Sequence, residues 1–426
     1  MTTQLWLHQR TGADWLKDRN RAYLGDRPRV GKTRTLATAL NETLGRGHHA
    51  LVICPAIVRT HWRETLADVM GARNAESVLV ASYDEIVRWG AEGRDALFEE
   101  CFPDVLILDE AHLCKNMLAQ RTQLILGREG YARKIPIVWA ASGTPVPRHP
   151  GEWYAIGATM FPRTLLSHGI KRYEDFEHRF LIQREVMMRG VKRFKVVGLQ
   201  NDEEFRDMLA ETTLQRTLDD IGDEQPKLLW QVLAVDGDTT ALQRGLKPVA
   251  NVDAEFYKNP NASHIRKLVG LAKVAPVANL IVTQLSESTE KLVVFAHHLE
   301  VLDGLEQALV KAQIVCVRVD GSTSQRLRDA RMLEFQRLPG VQVFLGQNIA
   351  CMMGIDLSSA SSILSVEPDW VATNNDQMGH RILGPNQKSK HVVTQMISLA
   401  GTIDDSIIRQ NAREAAMQDR MFEGKP

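Results

Sequence analysis

The sequence predicts an α/β protein with two parallel-sheet lobes in tandem and a small helical insertion between them. Short apolar runs alternate with helical patterns in both halves of the chain, as expected for βαβ units. A stretch that looks mostly helical, from about Glu152 to Val282, separates the two sets of runs. A chain of 426 residues is also too long for one ordinary hydrophobic core.

The strands of both lobes are predicted from these apolar runs. In the first half the runs are Ala50–Cys54, Val78–Ala81, Val105–Leu108 and Ile137–Ala140. In the second half they are Leu292–Ala296, Ile314–Val319, Val341–Leu345, Ile363–Val366 and Val392–Ile397. We therefore expect a first lobe over 1–222, a helical linker over 223–275 and a second lobe over 276–426. Such a layout predicts a ligand-binding cleft between the lobes.

The composition excludes several classes of protein. Hydrophobic residues make up 44% of the chain, which is typical of a globular protein, and no apolar run approaches the roughly 20 residues of a membrane span. The N-terminus lacks the basic start and apolar stretch of a signal peptide. The five cysteines are scattered and form no CxxC pair, so neither disulfides nor a zinc site is expected. A reducing cytoplasm is the predicted compartment.

The charge distribution leaves room for a local basic surface. The formal net charge of zero argues against a histone-like binder of polyanions but not against a basic groove. Residues 171–195 hold eight basic residues against four acidic ones. The basic ones are Lys171, Arg172, Arg179, Arg184, Arg189, Lys192, Arg193 and Lys195. Two interpretations of this stretch remain open: a face that follows phosphates, or a solvated charged surface.

Gly31-Lys32-Thr33 stands between a loop and a helical pattern, where it is typical of a phosphate loop. Such a loop needs inward backbone N–H groups at a helix start, a lysine for the β- and γ-phosphates, and a hydroxyl for Mg²⁺. The match to G-x-x-x-x-G-K-[ST] departs from the pattern at Asp26, where a glycine is expected. Arg29 also occupies a position where many such loops keep a glycine.

Two carboxylates follow the apolar run Val105–Leu108 directly, and they make the nucleotide interpretation specific. Asp109 and Glu110 end a predicted buried strand, and His112 comes two residues later. A strand tip that delivers two acids to the edge of a parallel sheet suits a Mg²⁺-nucleotide site. There one carboxylate helps hold the metal and the next orients or deprotonates a water.

Ser142-Gly143-Thr144-Pro145 follows the apolar run that begins at Ile137. Gly and Pro end strands in many proteins, so one interpretation of this segment is a turn. The other is functional: the hydroxyls of Ser142 and Thr144 sense the γ-phosphate and relay its state to the second lobe.

Lys32-Thr33, Asp109–His112 and Ser142–Pro145 resemble, in this order, motifs I, II and III of superfamily 2 helicases. Further segments resemble more specifically the Swi/Snf-type translocases that act on double-stranded DNA, and among these the annealing-helicase branch. The resemblance runs from about residue 5 to about 408. It also includes Leu7–Leu16, Ile53-Cys54-Pro55 with Trp62, Ser82-Tyr83-Asp84, Leu214–Ile221, Val293–His298, Val319–Thr323, Gly354–Ala360, Glu367–Trp370 and Gln377–Arg381. The resemblance implies two RecA-like lobes and a motor driven by ATP and Mg²⁺.

The segment Gln377–Arg381 departs from the family pattern, in which this motif carries two arginines three residues apart. By spacing, Arg381 matches the first arginine and Gly384 replaces the second. In an alternative alignment with a short deletion, His380-Arg381-Ile382 stands for the second. Arg381 is therefore the candidate arginine finger, and loss of such a finger lowers turnover by orders of magnitude.

The resemblance implies a role for each candidate residue of the nucleotide site. Nucleotide contacts are expected from Gln9, Arg29, Gly31, Lys32, Thr33 and Arg381. Mg²⁺ would be held by Thr33 and Asp109, and catalysis is expected to depend on Lys32, Asp109, Glu110 and Arg381. Coupling between the lobes is expected of His112, Ser142, Thr144 and Gln377.

Contacts to the nucleic-acid backbone are expected from loop residues that follow strands. The candidates are Arg59, Thr60, Tyr83, His298, Ser322, Thr323 and Asn348. A Ser or Thr at such a position is more often a turn former or helix cap than a ligand of DNA. His297-His298 at a strand end has no third ligand to complete a metal site.

The leading hypothesis is a DNA-dependent ATPase that moves on duplex DNA without reading its sequence, and remodels forks or reanneals strands. The alternatives are a strand-separating superfamily 2 helicase, disfavoured because no insertion stands out as a separation pin, and a nucleotide-gated DNA-binding adaptor with weak turnover. We expect a monomer without membrane association, targeted by DNA structure or by a protein partner. The compact length indicates a bacterial or viral source.

Overall fold

The computed structural model describes residues 5–45, 47–188, 191–217, 220, 226–237, 262–352, 354–384 and 387–422, with the backbone alone for 186–188 and 191. By its internal contacts the chain divides into two units. Unit 1 comprises Met1–Asp223 together with Ala416–Pro426, and unit 2 comprises Glu224–Ala415. Part of the predicted linker, residues 223–225 and 238–261, lies outside the described residues.

Unit 1 contains a parallel sheet of strands β1 to β5 and β8, in the order β3-β2-β4-β5-β1-β8. The strands are β1 Arg21–Leu24, β2 Ala50–Cys54, β3 Val78–Ser82, β4 Val105–Asp109, β5 Ile137–Ala141 and β8 Thr213–Leu214. Because all of them run parallel, their carboxyl ends meet at one edge of the sheet. The segments after β1, β4 and β5 are the three predicted nucleotide motifs.

Helices cover both faces of this sheet. They are α1 Leu7–Lys17, α2 Lys32–Thr43, α3 Arg59–Met70, α4 Ala72–Ala75, α5 Tyr83–Glu100, α6 Gln120–Leu126, α7 Tyr131–Lys134, α8 Tyr154–Met160, α9 Pro162–Ser167, α10 Tyr173–Phe180 and α11 Asp202–Thr212. Alternate residues of β4 enter two different cores: Leu106 and Leu108 the first, Val105 and Ile107 the second. A strand buried on both faces explains why this run is continuously apolar.

An antiparallel hairpin of β6 Leu181–Met188 and β7 Val191–Leu199 also belongs to unit 1. Its two strands form a sheet of their own and pair with no third strand among the described residues. Leu181 and Leu199 at the base of the hairpin are buried, whereas the described side chains from Ile182 to Glu185 are exposed.

Unit 2 contains a second parallel sheet, in the order β11-β12-β10-β13-β14-β9. Its strands are β9 Lys227–Val235, β10 Lys291–Ala296, β11 Cys316–Val319, β12 Val343–Gln347, β13 Ala360–Ser365 and β14 His391–Leu399. Its helices are α12 Ala262–Ala272, α13 Val274–Glu287, α14 Leu299–Lys311, α15 Gln325–Arg337, α16 Asn348–Cys351, α17 Ala372–Gly379 and α18 Ile403–Phe422, which ends in unit 1. Alternate residues of β10 again enter one core, including Leu292, Val294 and Ala296.

The predicted fold class is confirmed: each of the nine predicted strands is present, within an α/β architecture of two parallel sheets. The prediction of a mostly helical stretch from Glu152 to Val282 is wrong over β6, β7 and β9. The apolar run Lys227–Val235 forms an edge strand that pairs with β14 along its whole length. Its side chains are mostly exposed, so neither strand alternation nor full burial marks it in the sequence.

Two further features bear on the compartment predictions. Within the described residues, no single helix is long and apolar enough to cross a membrane, although the bent pair α12 and α13 passes a test of length and composition. All five cysteines are free thiols, and burial raises the pKa of Cys54, Cys114 and Cys351 to about 12.

Candidate active site

The phosphate loop connects β1 to α2 and depends on Gly31. Gly31 has a φ of 91°, in the left-handed region, and a Cβ there would overlap the side-chain amide nitrogen of Gln9. Only glycine meets both conditions, which explains the residue immediately before Lys32. Arg29 also has a left-handed backbone, with a φ of 71°. An arginine is therefore held where a glycine is favoured, at a cost of roughly 1–3 kcal/mol.

The start of the loop is fixed by an ion pair. The side chain of Asp26 is fully buried and accepts hydrogen bonds from Arg216 Nε at 3.0 Å and Arg216 Nη2 at 2.5 Å. Arg216 also donates to the carbonyl oxygen of His8 in α1. Asp26, which departs from the glycine pattern, is thus the acceptor that ties β8 and α1 to the loop.

Gln9 lies against the loop, as predicted for a residue near the nucleotide. It is 5% exposed, and its side-chain oxygen accepts a hydrogen bond from the Trp6 amide at 3.1 Å. His8, its neighbour, is within 2.8 Å of the Val30 carbonyl through Nε2. Helix α1 therefore presents the Gln9 amide nitrogen to the backbone at Gly31.

Lys32 is directed into the loop rather than out of it. Its ammonium donates to the carbonyl oxygens of Asp26 at 2.8 Å and Arg27 at 3.2 Å. Its positive charge also acts on Asp109 and Glu110 and favours the ionised form of each carboxyl, although burial and Glu110 outweigh this effect at Asp109 and raise its pKa. The predicted lysine and the two predicted carboxylates therefore share one electrostatic site.

Asp109 is held by two aromatic side chains. The indole Nε1 of Trp62 donates to Asp109 Oδ2 at 2.8 Å, and the hydroxyl of Tyr83 donates to the Asp109 carbonyl at 2.8 Å. The Glu110 amide donates to the other carboxylate oxygen at 3.1 Å. Both oxygens of Asp109 therefore have fixed directions before any ligand binds.

Glu110 belongs to a hydrogen-bond network with His112 and Ser142. The Ser142 hydroxyl donates to Glu110 Oε2 at 3.1 Å and lies 2.7 Å from His112 Nδ1. It also accepts from the Thr144 amide at 3.0 Å. Because a hydroxyl has one hydrogen, already directed at Glu110, His112 Nδ1 must carry the proton that it shares with Ser142. The segment after β5 thus orients the second acid of the segment after β4.

The two carboxyls of the site titrate in opposite directions. Burial and the nearby charge of Glu110 raise the pKa of Asp109. Burial alone would also raise the pKa of Glu110, but the hydrogen bond and charge of His112, with Lys32 and Ser142, outweigh it and lower that pKa. Adjacent buried acids separate in this way because like charges disfavour joint ionisation. Glu110 is therefore the ionised partner.

The donor set at this edge fits Mg²⁺. The predicted ligands are a hydroxyl, from Thr33, and a carboxylate, from Asp109, and both are the hard oxygen donors that Mg²⁺ prefers. Within the described residues, no group of three or more His, Cys, Asp and Glu side chains could hold a metal by itself. A nucleotide-bound Mg²⁺ needs no such group, because phosphates and waters supply its remaining ligands.

Arg381 lies in unit 2, in the 3₁₀ turn His380–Ile382 that follows α17. Its Nη2 donates to the Met352 carbonyl at 2.5 Å, and its own carbonyl accepts from the Leu357 amide at 2.9 Å. At Gly384, a Cβ would meet Asp356 Oδ1 at 2.9 Å and the Ser358 side chain at 3.0 Å. Gly384 therefore cannot carry an arginine without rearrangement, which leaves Arg381 as the candidate. Gln377, in α17, is buried.

Of the three residues of unit 1 that were predicted to contact nucleic acid, Arg59 and Thr60 are accessible and Tyr83 is buried. Thr60 is exposed at the start of α3, and Arg59 beside it forms an ion pair with Glu85. Tyr83 is 2% exposed, because its ring is in the core and its hydroxyl supports Asp109. A direct contact between Tyr83 and a nucleic-acid backbone does not fit this burial.

The residues of unit 2 that were predicted to contact nucleic acid also differ in burial: Asn348 is buried, whereas Ser322, Thr323 and His298 are at least partly exposed. Asn348 is fully buried and donates to the Glu367 carbonyl at 3.0 Å, which does not fit a direct contact to nucleic acid. Ser322 and Thr323 donate their hydroxyl hydrogens to Asp320, at 2.6 and 3.4 Å, and so stabilise the turn after β11. His298 Nδ1 lies 2.7 Å from the carboxylate of Glu367.

Several residues with structural roles in the site were not predicted individually. Arg216 and Trp62 were noted only as members of longer motifs, and Glu367 likewise. Glu367 is 2% exposed, accepts from the amides of His297 and His298 at 2.9 Å each, and lies where a Cβ at Gly270 would collide with it. The sequence signal that could have identified Glu367 is a charged residue directly after an apolar strand, because a carboxylate buried there requires hydrogen-bond donors nearby.

The chain is similar in sequence to several known proteins. The profile of the helicase conserved C-terminal domain family matches residues 272–383. A SWI/SNF-related matrix-associated actin-dependent regulator of chromatin subfamily A-like protein 1 of Xenopus laevis is 27% identical over 93% of this chain. The DNA annealing helicase and endonuclease ZRANB3 of Homo sapiens is 22% identical over 96% of it. The chain is therefore similar, over nearly its whole length, to Swi/Snf-type proteins of helicase superfamily 2.

The chain spans 42% of the Xenopus relative and 39% of the human one. A solved structure titled "Sulfolobus solfataricus SWI2/SNF2 ATPase core in complex with dsDNA" covers 99% of this chain, with 98% of its own chain aligned, a TM-score of 0.42 and 16% sequence identity. The relatives come from frog, human and, in a third case, Caenorhabditis elegans. These eukaryotic relatives overturn the prediction of a bacterial or viral source.

Proposed function

We propose that this protein hydrolyses ATP and uses the energy to translocate on double-stranded DNA, where it remodels forks or reanneals strands. The observation that carries the proposal is the meeting of Lys32, Asp109, Glu110, His112 and Ser142 at one edge of the first sheet. A relative named as a DNA annealing helicase, matched over nearly the whole chain, supports the DNA part of the proposal.

The triphosphate is proposed to bind the backbone amides that begin α2. Gly31 lets the loop turn at this point, and the Lys32 ammonium would exchange the Asp26 and Arg27 carbonyls for phosphate oxygens. Gln9, whose amide nitrogen faces Gly31, is placed to contact the adenine. Arg29 is proposed as a further cation beside the phosphates.

Thr33 and Asp109 are the residues that would hold Mg²⁺. When bound, the ion neutralises charge that develops on the phosphoryl oxygens. The protein's own contribution is to fix Asp109 through Trp62 and the Glu110 amide, so that the carboxylate does not have to reorganise on binding.

Glu110 is proposed to orient the attacking water and to accept its proton. Its pKa is lowered by His112, Lys32 and Ser142, so the carboxylate is ionised at neutral pH and available as an acceptor. Arg381 is proposed to supply the positive charge that stabilises the transition state. His112, Ser142, Thr144 and Gln377 are proposed to transmit the state of the γ-phosphate.

Contacts to DNA are proposed for the exposed or partly exposed candidates Arg59, Thr60, His298, Ser322 and Thr323. They would be directed at phosphates and largely independent of sequence, so binding should weaken steeply with salt. The protein is proposed to act as a monomer and to depend on DNA structure or a protein partner for targeting.

The test is ATP hydrolysis measured with duplex, single-stranded and forked DNA at several salt concentrations. Duplex DNA should stimulate phosphate release, and Lys32→Ala and Glu110→Gln should abolish it, whereas the exposed-lysine control Lys311→Ala should not. Absence of stimulation by every DNA would contradict the proposal and favour the nucleotide-gated adaptor. Displacement of a triplex strand without unwinding of a duplex would separate a translocase from a strand-separating helicase.

A further inference from the structure

The hairpin Leu181–Leu199 contains much of the basic stretch that sequence analysis left with two interpretations. It extends about 25–30 Å if each of the eight residues of β6 rises about 3.3 Å. The base is fixed to unit 1 by buried Leu181 and Leu199 and by the hydrogen bond from the Gln200 amide to the Phe180 carbonyl, at 2.9 Å. The remaining described side chains project from this base.

One face of the hairpin is basic. The pairing of Arg184 with Lys195 places their side chains on the same face, and Arg193, two residues from Lys195, joins them there. Arg184 and Arg193 are exposed, and neither forms an ion pair with any residue that the structure describes. Arg193 and Lys195 are about 7 Å apart along β7, and Arg184 lies across from Lys195 on β6. Three cations grouped in this way can neutralise neighbouring phosphates of one nucleic-acid strand.

The opposite face presents an aromatic ring. Phe194 pairs with Glu185 and is 71% exposed, more than any other described Phe, Tyr or Trp. Protection of an edge strand from aggregation would explain the basic residues, because lysine and arginine commonly serve that purpose. It does not explain Phe194, since an exposed ring on a flat edge promotes aggregation.

We propose that this hairpin binds single-stranded DNA at a fork. The strand would pass along the outer edge of β7, away from β6, with its phosphates toward Arg184, Arg193 and Lys195 on one face and an unpaired base turned to the other face, where it stacks on Phe194. A blunt duplex offers the phosphates but keeps its bases stacked on one another. An unpaired strand offers both, and stacking on an aromatic side chain tolerates any base. The inference rests on the proposed function and adds the DNA structure that this surface recognises.

The test measures binding of the full chain, without nucleotide, to a labelled single strand, a fork and a blunt duplex. Phe194→Ala should weaken binding to the strand and the fork by about 10- to 100-fold, the range of base–aromatic stacking. Binding to the blunt duplex should stay within about twofold, as expected if Phe194 contacts only unpaired bases. Phe194→Tyr keeps a ring and should retain affinity, and Phe102→Ala, at a ring 45% exposed outside the hairpin, is the matched control.

Replacing Arg184 and Arg193 by glutamine should reduce the salt dependence of single-strand binding by about 0.7 per phosphate contact. The exposed-arginine control Arg73→Gln should leave it unchanged. Two results for Phe194→Ala would overturn the inference: an unchanged affinity for the single strand, or an equal loss of affinity for all three DNAs. The unchanged affinity is the result expected if the hairpin instead pairs with a strand of another protein. These binding experiments use no ATP, so a wild-type protein without ATPase activity would contradict the proposed function alone.

Discussion

Arg216 and Asp26 form an ion pair in which the carboxylate is fully buried and both of its oxygens accept hydrogen bonds from one guanidinium. The two residues are 190 positions apart in the chain. The pair brings together the start of the phosphate loop, the segment after β8 and, through the His8 carbonyl, the helix that carries Gln9. A residue remote in sequence therefore holds the loop in shape for the nucleotide.

Loss of either partner is expected to destabilise unit 1. Arg216→Ala leaves the buried Asp26 charge without a partner, a situation that typically costs about 3–5 kcal/mol. Asp26→Ala should cost less, because Arg216 retains its bond to the His8 carbonyl. Urea denaturation measures both effects on the free energy of unfolding.

The double variant of Asp26 and Arg216, both to alanine, should be destabilised by less than the sum of the two single variants, because no buried charge remains. The exposed pair of Lys267 and Glu300 provides the control. Lys267→Ala should change stability by no more than about 1 kcal/mol. A loss at Arg216 as small as at Lys267 would show that the buried pair does not hold the loop.

Ser142→Ala is expected to slow ATP hydrolysis while leaving the KM for ATP almost unchanged. The change removes the hydroxyl that joins His112, Thr144 and Glu110. Glu110 remains charged and keeps its contact with His112 Nδ1 at 3.2 Å, but it loses one of the two side chains that orient it. We expect kcat to fall about 10- to 100-fold, less than the roughly 100- to 10,000-fold loss of a positioned general base in Glu110→Gln.

The exposed Ser167, whose hydroxyl donates only to the Thr164 carbonyl, is a matched control for Ser142. Ser167→Ala should hydrolyse ATP at the wild-type rate. Equal kcat values for Ser142→Ala and wild type would mean that the network after β5 does not orient Glu110.

Much of the fold follows from the sequence because buried parallel strands are continuously apolar. Val105–Leu108, for example, faces two cores and is recognisable from composition alone. The edge strand β9 was not predicted, because its side chains are largely exposed and it pairs with β14, which is remote in the chain. The hairpin was not predicted, because its described side chains are largely exposed, although its two strands are adjacent in the chain. β-Propensity depends strongly on such context.

The candidate site shows the same division between local and distant causes. Lys32, Asp109 and Glu110 were predicted from local patterns, since their chemistry depends on a strand tip or a helix start. Arg216 and Trp62 act on those residues across long stretches of chain, and no local pattern gives that proximity. Tyr83 and Asn348 were assigned to DNA contacts from their positions after strands, where burial in fact turns them inward.

Trp62→Phe tests the support of the proposed metal ligand. The change keeps the aromatic packing but removes the indole N–H that donates to Asp109 Oδ2. Outer hydrogen bonds of this kind typically affect metal affinity or activity by about 10- to 100-fold. We therefore expect a higher Mg²⁺ concentration for half-maximal ATPase activity. The control is Trp139→Phe, which removes a similar buried indole hydrogen bond, to the Arg19 carbonyl; the two variants should differ in Mg²⁺ dependence.

The stability of unit 2 is expected to fall in weak acid because of His297. Burial, with the charges of Arg266 and His298, lowers the pKa of His297 from 6.5 to about 4, against the opposing effect of Glu367 and Asp369. Above pH 6.5 the ring is neutral in both the folded and the unfolded chain. Between pH 6.5 and about 4 only the unfolded chain gains the proton, so stability is lost as the pH falls through this range.

His297→Gln removes this titration and should flatten the decline of the thermal unfolding midpoint between pH 7 and about 4, measured at constant ionic strength. Ser263→Ala, which alters only the hydroxyl 3.3 Å from His298 Nε2, keeps His297 and should retain the wild-type slope. A ring of His297 that titrates near 6.5 in an NMR experiment, or equal slopes for His297→Gln and wild type, would contradict the prediction. Either result would mean that water reaches the end of β10 well enough to hydrate the imidazolium, since only hydration or a nearby anion offsets the cost of charging a buried ring.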